Sequence, residues 1–596
     1  MFAHKNTLIQ LMIDSVKKYD VMSDMIFTRT KDGSYDGISR FQILNYSFCI
    51  KEYLEKLGLR KNSSLAIISE NRIEWVITDI ACMLSSNITV PIYPSLSADS
   101  IKYILNDCKA EIVFVSTGLQ LDKILSVRNE CPDLKYIISF NSIERSNIKD
   151  KIISFHNIFC NKQTITRNEL LERLEQISDS VNGNDLLTII YTSGTTGIPK
   201  GVMLMHKNIY ANLVTFPEVL LINEHYKFLS YLPYSHIYER TAGYYLPFFW
   251  GSKIYYAQSI DTIGAQMIEV KPTIIITVPR LLDKIYNKLM KTADEMPGGA
   301  KKKIFNWGLK VAKEDWNNKS SLRWKIANKL VFTKIREKTG GELSLFCSGG
   351  GALNKTVGEF FEGIGIMTLE GYGLTETSPV VAVNRIEKNK YGTVGFPMRD
   401  VQVKIAEDGE ILVKGDIVMK GYYNQPNETA EAIVDGWFHT GDIGEIDSEG
   451  YIKITDRKKS LFKSSGGKYI APTHIEELVG TLPYVDQVMV IGNERMYVTA
   501  LIVPDVNELK SLAKKAEQTI EFESDLFTNP VILKQIEKDV NEAQKNLAPY
   551  EKIRKFSLIQ TPFTIEGGEI TPTLKIKRKF VEEKYKIVIE NMYHKV

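Results

Sequence analysis

The sequence predicts an α/β protein in two parts: a large N-terminal domain of parallel-rich β-sheets with flanking helices and a small β-rich subdomain, then a smaller α+β C-terminal domain. Three observations predict it. At 596 residues the chain exceeds what one hydrophobic core serves. Short apolar runs alternate with helically spaced segments through most of its length, the pattern of a parallel sheet covered by helices. The texture then changes twice, to short strands with turn signals beyond Tyr391 and to a new helix–strand unit after Asp456-Arg457.

The elements follow in order. Residues 41–57 have helical spacing, 64–69 (SLAIIS) read as a buried strand and 73–83 as a helix. Residues 87–93, 111–116 and 136–140 are further strands, with a helix between the first two. Residues 160–184 form a polar connection with a helical stretch at 168–177. From Leu186 the order is strand, glycine-rich loop, then helix from His206. Strands at 228–231, 254–256 and 274–278 precede a basic, helical, Trp-containing insertion at 291–338. The β-rich subdomain occupies about 391–456, so the predicted domains are 1–456 and 457–596. The second contains a helix at 473–482, strands at 485–491 and 497–504, a long helix at 532–546 and a basic tail.

Bulk properties exclude several classes. The apolar content of 44% and charged content of 25% rule out a disordered chain. A net charge of +3 carries no general nucleic-acid footprint. Six widely spaced cysteines without a CxxC pair fit reduced thiols, not disulfides or a zinc site. The first twenty residues read as an amphipathic helix and not a cleaved signal, and no apolar run of membrane-spanning length occurs. Residues 242–256 (AGYYLPFFWGSKIYY) are aromatic and apolar, suited to plain core, to an apolar tunnel or to a membrane surface. The expected location is cytoplasmic, with peripheral membrane contact and a homodimer both compatible with the sequence.

The most informative segment is YTSGTTGIPKG at 191–201, between a strand and a helix. Hydroxyls and glycines supply converging donors with few side-chain obstructions, and Lys200 adds charge, which suits an anion. It does not align with GxxxxGK[ST]. This loop closely resembles the signature of the adenylate-forming (AMP-binding) superfamily, and the LPYSHIYER and TPTLK variants and the basic KKKIFNWGLK insertion resemble its branch of long-chain fatty acyl-CoA synthetases. The resemblance extends over nearly the whole chain. It implies an acyl-CoA synthetase-like fold with a mobile C-terminal domain, and contacts from Thr192, Ser193, Gly194, Thr195, Thr196, Gly197 and Lys200 to the ATP phosphates.

Further motifs arrive in the family's order. LPYSHIYER (232–240) resembles the acyl-pocket segment, and the resemblance assigns His236, Gly349 and Gly371 to substrate; read alone, His236 is a helix-capping or core histidine. CSGGGAL (347–353) resembles the adenine loop, with Gly350, Gly351 and Ala352. EGYGLTET (370–377) implies nucleotide contacts from Glu370, Gly371, Tyr372, Gly373 and Thr375, with Glu376 as magnesium ligand; a carboxylate beside a triphosphate requires a cation between them. HTGDIG (439–444) supplies Asp442 for the ribose, and DRKK (456–459) supplies Arg457 and a hinge at Lys459. KSSGGKYIAP (463–472) implies that Gly466 and Gly467 serve the coenzyme A step. TPTLKIKR (571–578) departs from the common PxxxSGKxxR form, lacking its Ser-Gly pair. It resembles the long-chain variant and selects Lys575 as catalytic, with Lys577 and Lys579 as rivals.

The resemblance therefore implies ATP, Mg2+ and coenzyme A, with Lys575, Lys200, Thr375 and Glu376 as the catalytic set. A fatty acyl-AMP ligase delivering to a carrier protein, a catalytically inactive nucleotide-binding relative and a luciferase-like oxygenase remain as alternatives. Basic stretches at 301–303 and 575–579 suit either an anionic lipid surface or a solvated face.

Overall fold

The computed structural model describes residues 5–142, 152–159, 165–192, 199–458, 461–463, 465, 468–565, 567–571 and 575–593. Ser193, Gly194, Thr195, Thr196, Gly197, Lys459, Gly466 and Gly467 lie outside the described residues.

Two large sheets form the N-terminal part. One has the order Phe396–Pro397, Val380–Val383, Met367–Gly373, Leu345–Ser348, Ile274–Thr277, Lys227–Ser230, Lys253–Tyr256, Asp24–Arg29, Tyr35–Ser39. Its six inner strands run parallel and its edges are antiparallel. The other runs Gly421–Tyr422, Lys200–Met205, Leu186–Thr192, Ile88–Ile92, Ser64–Ile68, Ile112–Val115, Tyr136–Ser139, Ile152–Ser154. Its central strands, Ser64–Ile68 and Ile88–Ile92, are buried at every position, as expected of a sheet covered on both faces.

Residues 402–457 build a small antiparallel sheet around Trp437–Ile446. The C-terminal part carries a three-stranded sheet, Val485–Ile491, Val498–Pro504 and Ile553–Leu558, with its own apolar core. It packs back on the N-terminal part, where Arg280 pairs with Asp486 at 2.8 Å and Lys291 pairs with Glu508.

Three expectations are corrected. The glycine-rich loop is followed not by a helix but by the strand Lys200–Met205, which pairs antiparallel with Leu186–Thr192; the helix His206–Thr215 comes after it. The short apolar run VMLM could not be separated from a helix start by periodicity alone. The aromatic run 242–256 is core: Tyr244, Tyr245, Leu246 and Phe248 are fully or almost fully buried, which removes it as a membrane-contacting surface. The basic stretch 575–579 is not one surface patch, because Arg578 is bound to Glu476 at 2.5 and 2.6 Å and Lys575 faces the cleft between the two parts. Among the described residues, five cysteines are buried and none forms a disulfide. No helix among them is long and apolar enough to cross a membrane.

Candidate functional site

The phosphate-type loop is held at its ends. Thr192 and Lys200 are cross-strand partners, so an antiparallel hairpin clamps the base of the loop. Lys200 extends from its strand until its ammonium lies 5.0 Å from the centre of the Tyr422 ring, a cation–π contact. Tyr422 belongs to the next strand, paired to Val202. Its hydroxyl donates to Glu376 Oε1 at 3.0 Å. Glu376 sits in a short 3-10 turn, Thr375–Thr377, and its carbonyl receives the Met419 N–H at 2.8 Å. Thr375, in the same turn, is buried.

The strand Met367–Gly373 leads into this turn and carries Glu370 and Tyr372. Glu370 Oε1 accepts the Leu353 N–H at 2.8 Å, which ties the 347–353 loop to the strand. Burial pushes the Glu370 carboxyl up to about 8, against the effect of that N–H, and Glu477 from the C-terminal part adds to the shift. Gly373 admits no side chain, since a Cβ there would stand 1.7 Å from the Pro379 carbonyl oxygen. In the 347–353 loop Gly349 is buried while Gly350, Gly351 and Ala352 are exposed. A Cβ on Gly349 would come within 2.9 Å of the Tyr238 ring, and Tyr238 donates to the Cys347 carbonyl at 2.8 Å. His236 Nδ1 accepts from the Tyr238 N–H at 3.1 Å. The LPYSHIYER segment thus meets the 347–353 loop through Tyr238.

Asp442 is almost fully buried on the long strand Trp437–Ile446. Tyr372 donates to its Oδ2 at 2.7 Å, and Arg457 Nε lies 3.1 Å from its Oδ1. Arg457 and Asp442 are register partners on adjacent strands, which explains the pairing. Lys458 bonds Asp408 at 2.6 Å and Glu410 at 3.0 Å, anchoring the strand where the chain leaves the subdomain.

Lys575 arrives from the far end of the sequence. Its N–H donates to Thr571 Oγ1 at 3.1 Å, and its carbonyl accepts the Thr571 N–H at 2.8 Å. Its side chain is open to the cleft by surface, yet enough protein surrounds the ammonium to lower its pKa to about 8. Burial acts first and Arg457 second, opposed by Asp442 and Glu376. His236 is pushed down to about 4 by burial and then by the same ammonium, so it is neutral at pH 7. The electrostatic neighbours of Lys575 are therefore His236, Glu376, Asp442 and Arg457, from four separate segments. Lys577 and Lys579 are exposed on its flank.

Sequence reasoning missed Tyr422, whose GYYN context carries no distinctive spacing. It also missed the network beneath the acyl-pocket segment, where Arg240 pairs with Asp79 with both side chains fully buried. Arg240 further donates to Thr188 Oγ1 at 2.8 Å and Tyr245 Oη at 3.0 Å, and Tyr245 donates to Asp79 at 2.7 Å. Among the described residues no group of three or more His, Cys, Asp or Glu could hold a metal.

Chemically, the cleft offers two ammonium groups, a hydroxyl-held carboxylate and a buried aspartate. That set suits a polyanion carrying a diol. The sequence matches the family AMP-binding enzyme over residues 41–423 and the AMP-binding enzyme C-terminal domain over 460–596. It is 32% identical over 586 residues to the long-chain-fatty-acid–CoA ligase FadD15 of Mycobacterium tuberculosis, covering 96% of this chain and 94% of that one. It is 33% identical over 562 residues to long chain acyl-CoA synthetase 6, peroxisomal, of Arabidopsis thaliana, covering 90% and 78%. Among solved structures, the anthranilate CoA ligase AuaEII in complex with anthranoyl-AMP superposes with a TM-score of 0.73 at 19% identity, covering 98% of both chains. A Mycobacterium tuberculosis fatty acyl CoA synthetase gives 0.59 at 21% identity, covering 98% and 99%. With both of its parts matched in order, the chain belongs to the family of AMP-binding enzymes.

Proposed function

We propose that this protein activates a long-chain fatty acid with ATP, forming an acyl-adenylate and pyrophosphate, and then transfers the acyl group to coenzyme A with release of AMP. The observation that carries this reading is the convergence of Lys200, Glu376, Asp442 and Lys575 on one cleft. The curated relatives, named as long-chain acyl-CoA ligases, support the substrate class.

In the first step a carboxylate oxygen attacks the α-phosphorus and the bond to pyrophosphate breaks. Such a reaction depends on positioning and charge neutralisation, with little covalent help from the protein. Lys200, with the loop Thr192–Gly197 that it closes, takes the β- and γ-phosphates. Lys575 neutralises charge near the α-phosphate, and Thr375 bonds its oxygens. Asp442 accepts from the ribose hydroxyls, steadied by Tyr372 and Arg457. The 350–352 loop and the 370–373 strand flank the adenine, while His236, Gly349 and Gly371 border the acyl carboxylate.

Magnesium fits at Glu376. A carboxylate that accepts from the Tyr422 hydroxyl keeps lone pairs for a hard cation. When bound, it offsets phosphate charge.

In the second step the coenzyme A thiol attacks the acyl carbon and AMP leaves. We assign the domain boundary to 456/457, the hinge to Lys459 and the second-step loop to Gly466 and Gly467. Contact with a membrane, where such acids dissolve, completes the proposal.

A single assay tests the reaction. Acids of graded chain length are supplied with ATP, magnesium and coenzyme A, and AMP, pyrophosphate and thioester are quantified together. Equal amounts of the three products, with long chains preferred, are expected. Preference for acetate or an aryl acid, or the absence of pyrophosphate with every acid, overturns it.

A further inference from the structure

Residues 301–338 hold twelve lysines and arginines against three acidic residues, a net charge of +9, while the whole chain carries only +3. This segment folds as the helix Ala300–Glu314 and then one continuous helical rod, Leu322–Ala327, Asn328–Phe332 and Thr333–Glu337, the middle tract being a π-helix. The rod's inner side is apolar: Ala327, Val331, Phe332 and Ile335 are buried in one core with Leu309, Val311 and Phe361. Its outer side is also apolar along a row. Leu322, Ile326 and Leu330, spaced four residues apart, are 73%, 43% and 44% exposed.

The row is exposed where Ala327, Val331, Phe332 and Ile335 are buried, and Lys325, Lys329 and Lys334 are exposed on the same rod, while Arg323 is held by Glu314 at 3.0 Å and Asp315 at 3.6 Å. The helix packed beside it exposes Ile304 together with Lys301 and Lys303.

Single exposed apolar residues need no explanation. A row of three on one helix, bordered by cations, has the pattern of a helix lying in a lipid–water interface. Lys301, Lys303, Lys325, Lys329 and Lys334 form no ion pair within 4 Å among the described residues, so their charge faces outward. We propose that this face, the rod 322–337 with the start of helix 300–314, docks on the surface of an anionic lipid bilayer. Leu322, Ile326 and Leu330 enter the interfacial layer and the flanking lysines meet lipid phosphates. The outward-facing lysines select an anionic occupant; a zwitterionic membrane or an apolar protein groove would gain nothing from them. The inference rests on the functional reading only in that a fatty acid reaches the enzyme from a bilayer.

Vesicle sedimentation of the full chain tests it, using phosphatidylcholine alone and phosphatidylcholine mixed with phosphatidylglycerol across a salt series. Binding to the anionic vesicles only, weakening with salt, is expected. The Lys325→Gln/Lys329→Gln/Lys334→Gln variant should lose roughly 100-fold in partitioning, at about 1 kcal/mol per cation. The Leu322→Asn/Ile326→Asn/Leu330→Asn variant should lose roughly tenfold or more. Both should keep the wild-type rate with a short, water-soluble acid, which reports an intact fold. Equal binding to both vesicle types, no binding by the wild type, or variants that bind like the wild type overturns the proposal. So does binding lost through Lys577→Gln/Lys579→Gln instead. Failed vesicle binding with intact thioester synthesis sinks this inference alone, whereas failed synthesis with intact binding sinks the functional reading alone.

Discussion

Tyr422 links Lys200 to Glu376: its ring lies 5.0 Å from the Lys200 ammonium and its hydroxyl is 3.0 Å from the Glu376 carboxylate. One side chain therefore touches both a cation and an anion that lie 176 residues apart in sequence.

Tyr422→Phe keeps the ring beside Lys200 and removes only the hydrogen bond to Glu376. Adenylate formation should fall about tenfold, consistent with the loss of one bond to a charged group, and the magnesium concentration for half-maximal rate should rise. ATP–pyrophosphate exchange against magnesium reads both. An unchanged magnesium dependence would show that the hydroxyl does not position Glu376.

Lys575→Ala should lower adenylate formation by roughly 100- to 1000-fold, about 3–4 kcal/mol of barrier. Thioester formation from supplied acyl-adenylate should be spared, because the charge is needed only where the phosphate bond breaks. Equal loss in both half-reactions contradicts the assignment.

Lys575 also predicts a pH dependence. Its pKa lies at about 8 in this arrangement against an ordinary 10.5. Between those values an exposed lysine holds a proton that this one has lost. The stability of the arrangement therefore rises with pH across that window, while the positive charge facing the phosphates declines through it. Nucleotide phosphates move the midpoint upward. Pyrophosphate exchange by the wild type should fall above pH 8, whereas Lys575→Arg, slower at neutral pH, should show a flat alkaline limb. Superimposable profiles for the two would refute this.

Arg240→Ala strands the buried Asp79 carboxylate beneath the acyl-pocket segment. A loss of about 3–5 kcal/mol in unfolding free energy is expected, as for other broken buried pairs. Denaturant melts measure it; a midpoint equal to that of the wild type would show that water reaches Asp79.

Much of the architecture was legible because it is local. Apolar runs such as SLAII read directly as the fully buried strand Ser64–Ile68. The strand Ile553–Leu558 was not, since IRKFSL has little periodicity and its place beside Val498–Pro504 comes from pairing across fifty residues. The hairpin Asp24–Arg29 and Tyr35–Ser39 escaped for a similar reason: its outer strand is largely exposed.

By itself the sequence determined the family and the two-part α/β plan, because both are written in contiguous motifs and short-range periodicity. Only the tertiary structure decided that Tyr422 touches both Lys200 and Glu376, that Lys575 lies in the electrostatic field of Asp442 and Arg457, and that the aromatic run 242–256 is core while the row Leu322, Ile326 and Leu330 is surface. Those outcomes depend on which distant segments pack together, and burial and charge proximity are properties of that packing, not of any one stretch of chain.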